Sequence, residues 1–228
     1  MSAPLSVVIP TLNAVRTIGP TLGALVPGAS DGLIGDVVLA DGGSQDEIAA
    51  VADDAGAVLI EAPRGRGSQL SAGAKASRGE WLLFLHADTI LTGDWIGAIR
   101  LHMERHPQKA GYFRLRFDSE TMSARCVGGW ANWRSALFAW PYGDQGLLIS
   151  RRHYDEICGY SELPLMEDIA IIRAIGRKRL RCLGPEALTS PERYERDGWI
   201  RRGWRNWRCM ALYLVGVSPE RISKIYQR

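Results

Sequence analysis

Residues 81–89 read Trp81-Leu82-Leu83-Phe84-Leu85-His86-Ala87-Asp88-Thr89. The apolar run is unbroken until it stops at His-Ala-Asp. Such a run predicts a strand, Trp81–Leu85, buried on both faces in the middle of a parallel sheet. Open α/β sheets bind ligands just beyond the carboxyl ends of their strands. Asp88, with His86 beside it, is therefore expected at the rim of a site, where a carboxylate can hold a metal and a metal can hold phosphate.

Strand and helix signals alternate on the amino-terminal side of this run. Strands are expected at Leu5–Ile9, stopped by Pro10, at Asp36–Ala40 and at Ala57–Glu61. Helices are expected at Val15–Val26, Gln45–Ala55, Ser68–Ala76 and Asp94–Glu104, the last capped by Asp94 or Gly93. This βαβ rhythm implies a mostly parallel sheet with right-handed crossovers. Beyond it, Tyr112–Phe117 alternates as an edge or antiparallel strand does. Short strands follow at Leu147–Ser150, Leu180–Leu183 and Ala187–Thr189. Helices follow at Ser123–Phe138, Arg151–Ile157, Glu167–Arg177, Trp199–Val215 and Pro219–Tyr226. Neither an internal repeat nor a linker interrupts the 228 residues, so one domain is expected.

Composition is that of an ordinary globular protein. The four cysteines, Cys126, Cys158, Cys182 and Cys209, form no CxxC pair and no Cys/His cluster, which argues against zinc and against a disulfide scaffold. Free thiols in a reducing cytoplasm are the expectation. The amino terminus lacks the signature of a signal peptide, and no apolar run approaches the roughly 20 residues that span a bilayer. Net charge is +3, yet half of the Lys and Arg residues lie after Ile172. No motif supports nucleic-acid binding.

Three acidic positions follow apolar runs or open a helix: Asp41 after Val37–Ala40, Asp88 after the central strand, and Glu167-Asp168 after Leu163–Met166. Taken singly, each fits turn chemistry or helix capping. Carboxylates at the carboxyl ends of strands in one α/β sheet, however, converge on a common crevice. Five segments then occur in a telling order. They are Val7-Val-Ile-Pro-Thr-Leu-Asn13, Leu39-Ala-Asp-Gly-Gly-Ser-Gln-Asp46, Arg64-Gly-Arg-Gly-Ser-Gln-Leu-Ser-Ala-Gly73, His86-Ala-Asp88 and Met166-Glu-Asp168.

Together these segments resemble the family 2 glycosyltransferases, whose GT-A fold is an α/β fold with a mostly parallel, Rossmann-like mixed sheet flanked by helices. The resemblance covers most of residues 5–180. The chain also resembles a small bacterial subgroup encoded near radical enzymes. The resemblance implies an inverting, metal-dependent transfer of a sugar, of hexosyltransferase type, from a nucleotide-sugar, a UDP-sugar above all, to an unknown acceptor. It divides the chain into a nucleotide-sugar-binding half (1–110), an acceptor and catalytic half (111–196) and a C-terminal helical segment (197–228).

Residue by residue, the resemblance assigns donor binding to Pro10, Thr11, Asn13, Asp41, Arg64, Arg66 and Gln69. Asp41 would meet the base, and Arg64 and Arg66 would add charge near the phosphates or the sugar. Asp88 would be the carboxylate holding manganese or magnesium. His86 stands where the family usually has the first acid of its metal motif; it is either a second ligand or a core imidazole. Asp168 would be the base that deprotonates the acceptor hydroxyl, with Glu167 as neighbour or substitute.

Acceptor contacts are expected from Trp140, Asp144 and Gln145, near an aromatic cluster with Trp130, Trp133, Phe138 and Tyr142. A second set, Trp204 with Arg208, lies on one face of the last long helix together with Trp207. That face either covers the crevice or rests on an anionic membrane surface, and a purely structural terminal helix is the third option. The expected location is cytoplasmic, with peripheral contact at the inner membrane face in the second case. His102 and His106 share a helix face without a HExxH pattern, so they are expected at the surface.

Other classes fit less well. No G-x-G-x-x-G follows the first strand, against a dinucleotide-dependent dehydrogenase. Pro10–Arg16 lacks the glycine-rich basic signature of a sugar-nucleotidyltransferase. A non-catalytic nucleotide-sugar-binding or scaffold protein of the same fold remains the alternative, because of His86.

Overall fold

In the computed structural model, which describes residues 3–226, the apolar run at 81–84 is a strand in the interior of one eight-stranded sheet. In chain order the elements are β1 (Leu5–Thr11), α1 (Val15–Ser30), β2 (Ile34–Asp41), α2 (Ile48–Asp54), β3 (Val58–Glu61), α3 (Arg66–Ala76), β4 (Trp81–Phe84), β5 (Thr89–Leu91) and α4 (Trp95–Arg105). There follow β6 (Ala110–Phe117), α5 (Met122–Phe138), a 3-10 turn (Gly143–Gln145), β7 (Leu147–Ser150), α6 (Arg151–Glu156), α7 (Glu167–Ile175), β8 (Leu180–Thr189), α8 (Glu192–Asp197), α9 (Trp199–Leu214) and α10 (Pro219–Tyr226).

The strand order is β3-β2-β1-β4-β7-β6-β8-β5. β1 pairs in parallel with β2 and β4, and β2 with β3. β7 runs antiparallel to both β4 and β6, and β5 antiparallel to β8. With β6 parallel to β8, four of the seven pairings are parallel and three antiparallel, and β4 is parallel to its neighbour on one side only. β6 is antiparallel to β7, as its alternation suggested, yet it is interior rather than an edge, because β8 pairs along it.

Alternation along β4 feeds two layers. Trp81 and Leu83 join Val7, Ile9 and Leu39 against Ile18 and Leu25 of α1 and Trp95 and Ile99 of α4. Leu82 and Phe84 join Val8 against Leu70 of α3 and Ile171, Ile172 and Ile175 of α7. Leu82 and Leu83 are fully buried, each worth about 1.5–3 kcal/mol relative to exposure. Helices therefore cover both faces, and the polar ends of β1, β2 and β4 are left open at one rim.

Several boundaries differ from expectation for local reasons. β1 continues through Pro10 to Thr11 because Pro10 lies past the β4 pairing, where its missing N–H leaves no ladder bond unmade. α1 runs through Pro20 and Pro27 to Ser30, since Ile18, Thr21, Leu25 and Gly28 form a buried stripe at helical spacing. α2 begins only at Ile48, after the turn that follows β2. β8 is one strand, not two; a register shift opposite Tyr112–Arg114 accommodates Gly184 (φ 98°) and Pro185. The short strand β5 and helix α8 have no counterpart in the expected elements. Asp94 caps α4, accepting from Gly97 N at 2.9 Å. His102 is buried rather than exposed: its Nε2 meets the Lys109 carbonyl at 2.8 Å, and its ring packs edge-on against Trp81. All four cysteines are free thiols.

Candidate active site

The rim of the sheet carries a groove built from the loop after β1 and the turn after β2. Asn13 adopts a left-handed conformation (φ 52°), which Asn tolerates better than most residues. Its Oδ1 accepts from Gln45 N at 2.8 Å, and its own N–H donates to Ser44 Oγ at 2.8 Å. Val15 N donates to Asp46 at 3.0 Å. The loop and the turn are thereby stapled to each other. Gln69, on α3, adds a clamp from below: its amide nitrogen donates to the Thr11 carbonyl at 2.7 Å and the Ala40 carbonyl at 2.8 Å. A Cβ on Gly42 would stand 3.0 Å from the Gln69 side chain, so a larger residue there would press on the clamp.

Asp41 organises this turn. Its carboxylate accepts from Thr11 Oγ1 at 3.0 Å, Gly43 N at 3.1 Å, Ser44 N at 2.7 Å and the Ser44 hydroxyl. Burial opposes its charge, but these hydrogen bonds outweigh it and hold its carboxyl below the usual carboxylate range. Asp41 is buried beneath the groove, whose walls include Pro10, Thr11, Asn13, Arg64, Arg66 and Gln69.

The loop after β4 brings His86 and Asp88 to the same groove. It is pinned on three sides. Thr21 donates to the Ala87 carbonyl at 3.1 Å, Ser190 N to the Asp88 carbonyl at 3.2 Å, and Thr89 N to the His86 carbonyl at 3.2 Å. β5 then locks onto the end of β8, which delivers Ser190 and, on α8, Arg193 to the site.

Past His86 and Asp88 the groove meets a chamber whose walls include Tyr142, Asp144, Glu167, Asp168, Tyr194 and Arg202. Arg66, His86, Asp88, Ser190 and Arg193 line both spaces. Gly143 lies so close to the imidazole that a Cβ there would stand 2.7 Å from His86 Nε2. Met166, in a left-handed conformation (φ 70°) that is costly for a side chain other than Gly or Asn, turns the chain abruptly into α7. Glu167 and Asp168 open that helix, where the dipole favours negative charge.

The acids of the chamber differ in setting. Glu167 is 2% exposed and pairs with Arg66 at 3.4 Å; burial and then Asp168 push its carboxyl up, and Arg66 works against them. Asp168 accepts from Gly143 N at 3.2 Å and from Ile169 N at 2.8 Å. Asp144 is pushed up to about 6, chiefly by burial, with Arg134 opposing and Asp168 and Asp88 adding to the rise. One of its carboxylate oxygens is buried without a hydrogen-bond partner. Burial, together with Arg66 and Arg193, keeps the His86 imidazole neutral.

A neutral imidazole beside a carboxylate is a donor set suited to a divalent cation. His86 and Asp88 line the junction of groove and chamber and are the residues that could hold one. The described residues contain no group of three or more His, Cys, Asp or Glu side chains arranged around one point. A divalent ion held by two side chains completes its shell with oxygens of water or of a bound anion.

Several expected site residues lie elsewhere. Gln145 is fully buried: its oxygen accepts from Ser135 at 2.7 Å, and its nitrogen donates to the Phe113 carbonyl at 3.0 Å, so it braces the turn and cannot contact an acceptor. Trp140 stacks on Phe138 and packs against the core without lining the chamber. On α9 the face that was expected either over the crevice or against a membrane points to solvent, so it does not cover the crevice. Trp204 and Trp207 are exposed and stacked on each other, Arg208 is exposed beside them, and Arg202, Asn206, Cys209 and Met210 are turned inward. The cause is a polar nest inside: Asp197, Tyr194 and Tyr226 collect the arginines, and only Trp199 packs inward, on Phe117 and Tyr194. Arg193, Tyr194, Ser190 and Arg202 were not anticipated at the site. Only the density of Arg in 193–205 pointed toward them.

At the level of sequence no curated protein matches the chain. Among solved structures, S. aureus TarS 1–349 superposes with a TM-score of 0.62 at 15% identity, covering 84% of this chain and 62% of that one. The same protein in complex with UDP-GlcNAc gives 0.61 at 14% identity, over 82% and 58%. Glucosyl-3-phosphoglycerate synthase from Mycobacterium tuberculosis, in complex with Mn2+, UDP and glucosyl-3-phosphoglycerate, gives 0.56 at 19% identity, over 80% and 70%. This chain thus spans less than two thirds of the TarS fragment, and likeness at such identities shows the fold, the GT-A arrangement expected from the motifs. The sequence model described as Glycosyl transferase family 2 matches residues 6–135. With more than half of its length inside that match, the chain belongs to glycosyl transferase family 2.

Proposed function

We propose that the protein transfers a sugar, of hexose type, from a UDP-sugar to an acceptor hydroxyl with inversion at the anomeric carbon. The observation that carries this reading is the junction: His86, Asp88 and Arg66 line both the groove and the chamber that holds Asp168. The nucleotide would lie in the groove against Pro10, Thr11 and Asn13, on the turn that Asp41 and Gln69 hold in shape. The diphosphate would meet Arg66, Arg193 and, at the mouth, Arg64. Asp88 and neutral His86 would hold a manganese or magnesium ion, which when bound would neutralise charge on the departing diphosphate. Structures of TarS with UDP-GlcNAc and of the phosphoglycerate synthase with Mn2+ and UDP support this choice of donor and ion.

Asp168 is the general base in this reading. It faces the chamber, and Gly143 N orients one of its oxygens. It takes the acceptor proton as the new carbon–oxygen bond forms and the bond to the β-phosphate breaks. Glu167 is engaged by Arg66 and positions it. The same fold without turnover would be a nucleotide-sugar scaffold. Peripheral contact with a membrane is part of the proposal, supported by the exposed Trp204 and Trp207.

A panel of nucleotide-sugars with and without manganese, read by thermal shift and donor hydrolysis, tests the reading. A matching donor raises the melting temperature by mass action. Asp88→Ala should remove the metal-dependent part of that shift. Asp168→Asn should keep donor affinity and lose transfer by about 10²–10⁴-fold. Tight donor binding with no turnover under any condition would assign the scaffold role instead.

A further inference from the structure

The C-terminal helices form a cationic recess beside the chamber, and three of its arginines, Arg196, Arg202 and Arg205, have no part in donor binding as proposed above. Arg66, Arg193, Arg196, Arg202 and Arg205 face it, against the carboxylates of Asp197 and Glu167, and Glu167 already pairs with Arg66. Arg202 is the most enclosed, with its side chain 10% exposed. Its Nη1 donates to Asp197 Oδ2 at 2.7 Å and its Nη2 to the Tyr226 hydroxyl at 3.1 Å. Arg205 Nη2 donates to the same Asp197 oxygen at 2.7 Å, and Arg196 Nε to the other at 3.0 Å. One carboxylate therefore serves three guanidiniums.

The Nε–H groups of Arg202 and Arg205 are buried and have no partner among the described residues. Five guanidiniums against two carboxylates leave a positive excess in the recess, which a multi-oxygen anion would balance. Tyr194 and Tyr226 flank the guanidiniums, with Arg202 5.3 Å from the Tyr194 ring centroid and Arg205 4.7 Å from that of Tyr226. These rings limit where the forks can point. Arg202 and Arg193 also line the chamber that contains Asp168. An anion held in the recess would leave the remainder of the same molecule in the chamber.

We infer that the recess binds the acceptor through an anionic group, phosphate or carboxylate, gripped by Arg202 and Arg205, while a hydroxyl of that acceptor reaches Asp168. This rests on the transfer reaction proposed above and names the class of its acceptor.

Titration calorimetry on the full chain, first saturated with UDP and magnesium so that the donor groove is filled, tests it with glycerol 3-phosphate and with glycerate. At least one of these should bind, and the tighter one identifies the group. Arg205→Gln, at a side chain 27% exposed, should weaken that binding by about ten- to a hundredfold and leave UDP affinity unchanged. Arg202→Lys, which keeps the charge but loses the planar fork, should weaken it as well. If UDP binds normally and neither anion does, or if Arg205→Gln binds the anion like the parent, the inference is overturned while the donor reading stands. If UDP itself does not bind, the donor reading fails.

Discussion

Arg66 and Glu167, 101 positions apart in sequence, meet at 3.4 Å and join the amino terminus of α3 to the amino terminus of α7. α3 also carries Gln69, which clamps the groove, and α7 carries Asp168, which faces the chamber. One ion pair therefore couples the two walls of the candidate site.

Arg66→Ala should destabilise the protein by about 1–3 kcal/mol, because Glu167 is left buried without its counter-charge. The cost is below that of a fully buried pair, since the Arg66 side chain is 37% exposed. Burial and Asp168 already push Glu167 up, so its native form binds more protons than its unfolded form. Stability from such a group falls as pH rises. The Arg66→Ala deficit should accordingly grow between about pH 5 and pH 8, and adding Glu167→Gln should recover most of it. Urea melts at both pH values check this; a pH-independent deficit contradicts it.

Asp144 gives a second pH signature. Its carboxyl stands at about 6 against an ordinary 3.8, chiefly through burial. The native state thus holds a proton that the unfolded state has lost, and stability should fall as pH rises from about 4 through 6. Asp144→Asn should therefore stabilise the protein above pH 7, on the order of 1–3 kcal/mol, and do little near pH 4. Thermal melts across that range decide the matter, and equal effects at both ends would remove the assignment.

The legible parts of this molecule are those with one strong local cause. The run 81–85 has no polar residue, so its burial on both faces followed directly, and the end of the run located His86 and Asp88. Asp41 was legible as a carboxylate at the end of a strand, but its four internal hydrogen bonds depend on Thr11, thirty residues away, and on the course of its own turn. α9 was legible as a helix, but which of its faces meets the site was not. Trp is ordinarily the more buried residue, yet the inward face of α9 meets Asp197 and two tyrosines, which favour guanidinium over indole. β8 was expected as two short strands on either side of Gly184 and Pro185, whereas pairing with β6 on both sides of the irregularity keeps it one strand.

Gln69 should control the groove without touching chemistry. Gln69→Leu fills similar space but leaves the Thr11 and Ala40 carbonyls without the donors that now bind them at 2.7 and 2.8 Å. About 1–3 kcal/mol of stability should be lost for these buried acceptors. UDP affinity should fall with it, since Thr11 lines the groove. Gly42→Ala should reproduce the affinity loss from the opposite side by pushing Gln69 away. UDP titrations on both variants check this; full affinity in Gln69→Leu would show that the loop holds its shape through Asn13 and Ser44 alone.

The outward side of α9 should carry the membrane contact. Trp204 and Trp207 are 63% and 45% exposed and stack with centroids 5.4 Å apart, with Arg201 and Arg208 exposed around them. α5 packs against α9 and adds a second exposed stacked pair, Trp130 and Trp133, 5.1 Å apart. No helix among the described residues is long and apolar enough to cross a bilayer. Indole rings settle at the headgroup level and arginines meet anionic lipid, so the two residue types on one side act together. Vesicles rich in phosphatidylglycerol should carry the protein upward in a density gradient, and neutral phosphatidylcholine vesicles should do so far less. Raising the salt should weaken the association, because the arginine part is screened. Trp204→Ala combined with Trp207→Ala should reduce flotation several-fold and leave UDP binding intact, since neither indole lines the groove or the chamber. Absence of flotation on anionic vesicles, together with a dimer in sedimentation that the same double substitution dissolves, would assign the aromatic surface to a second copy of the chain instead.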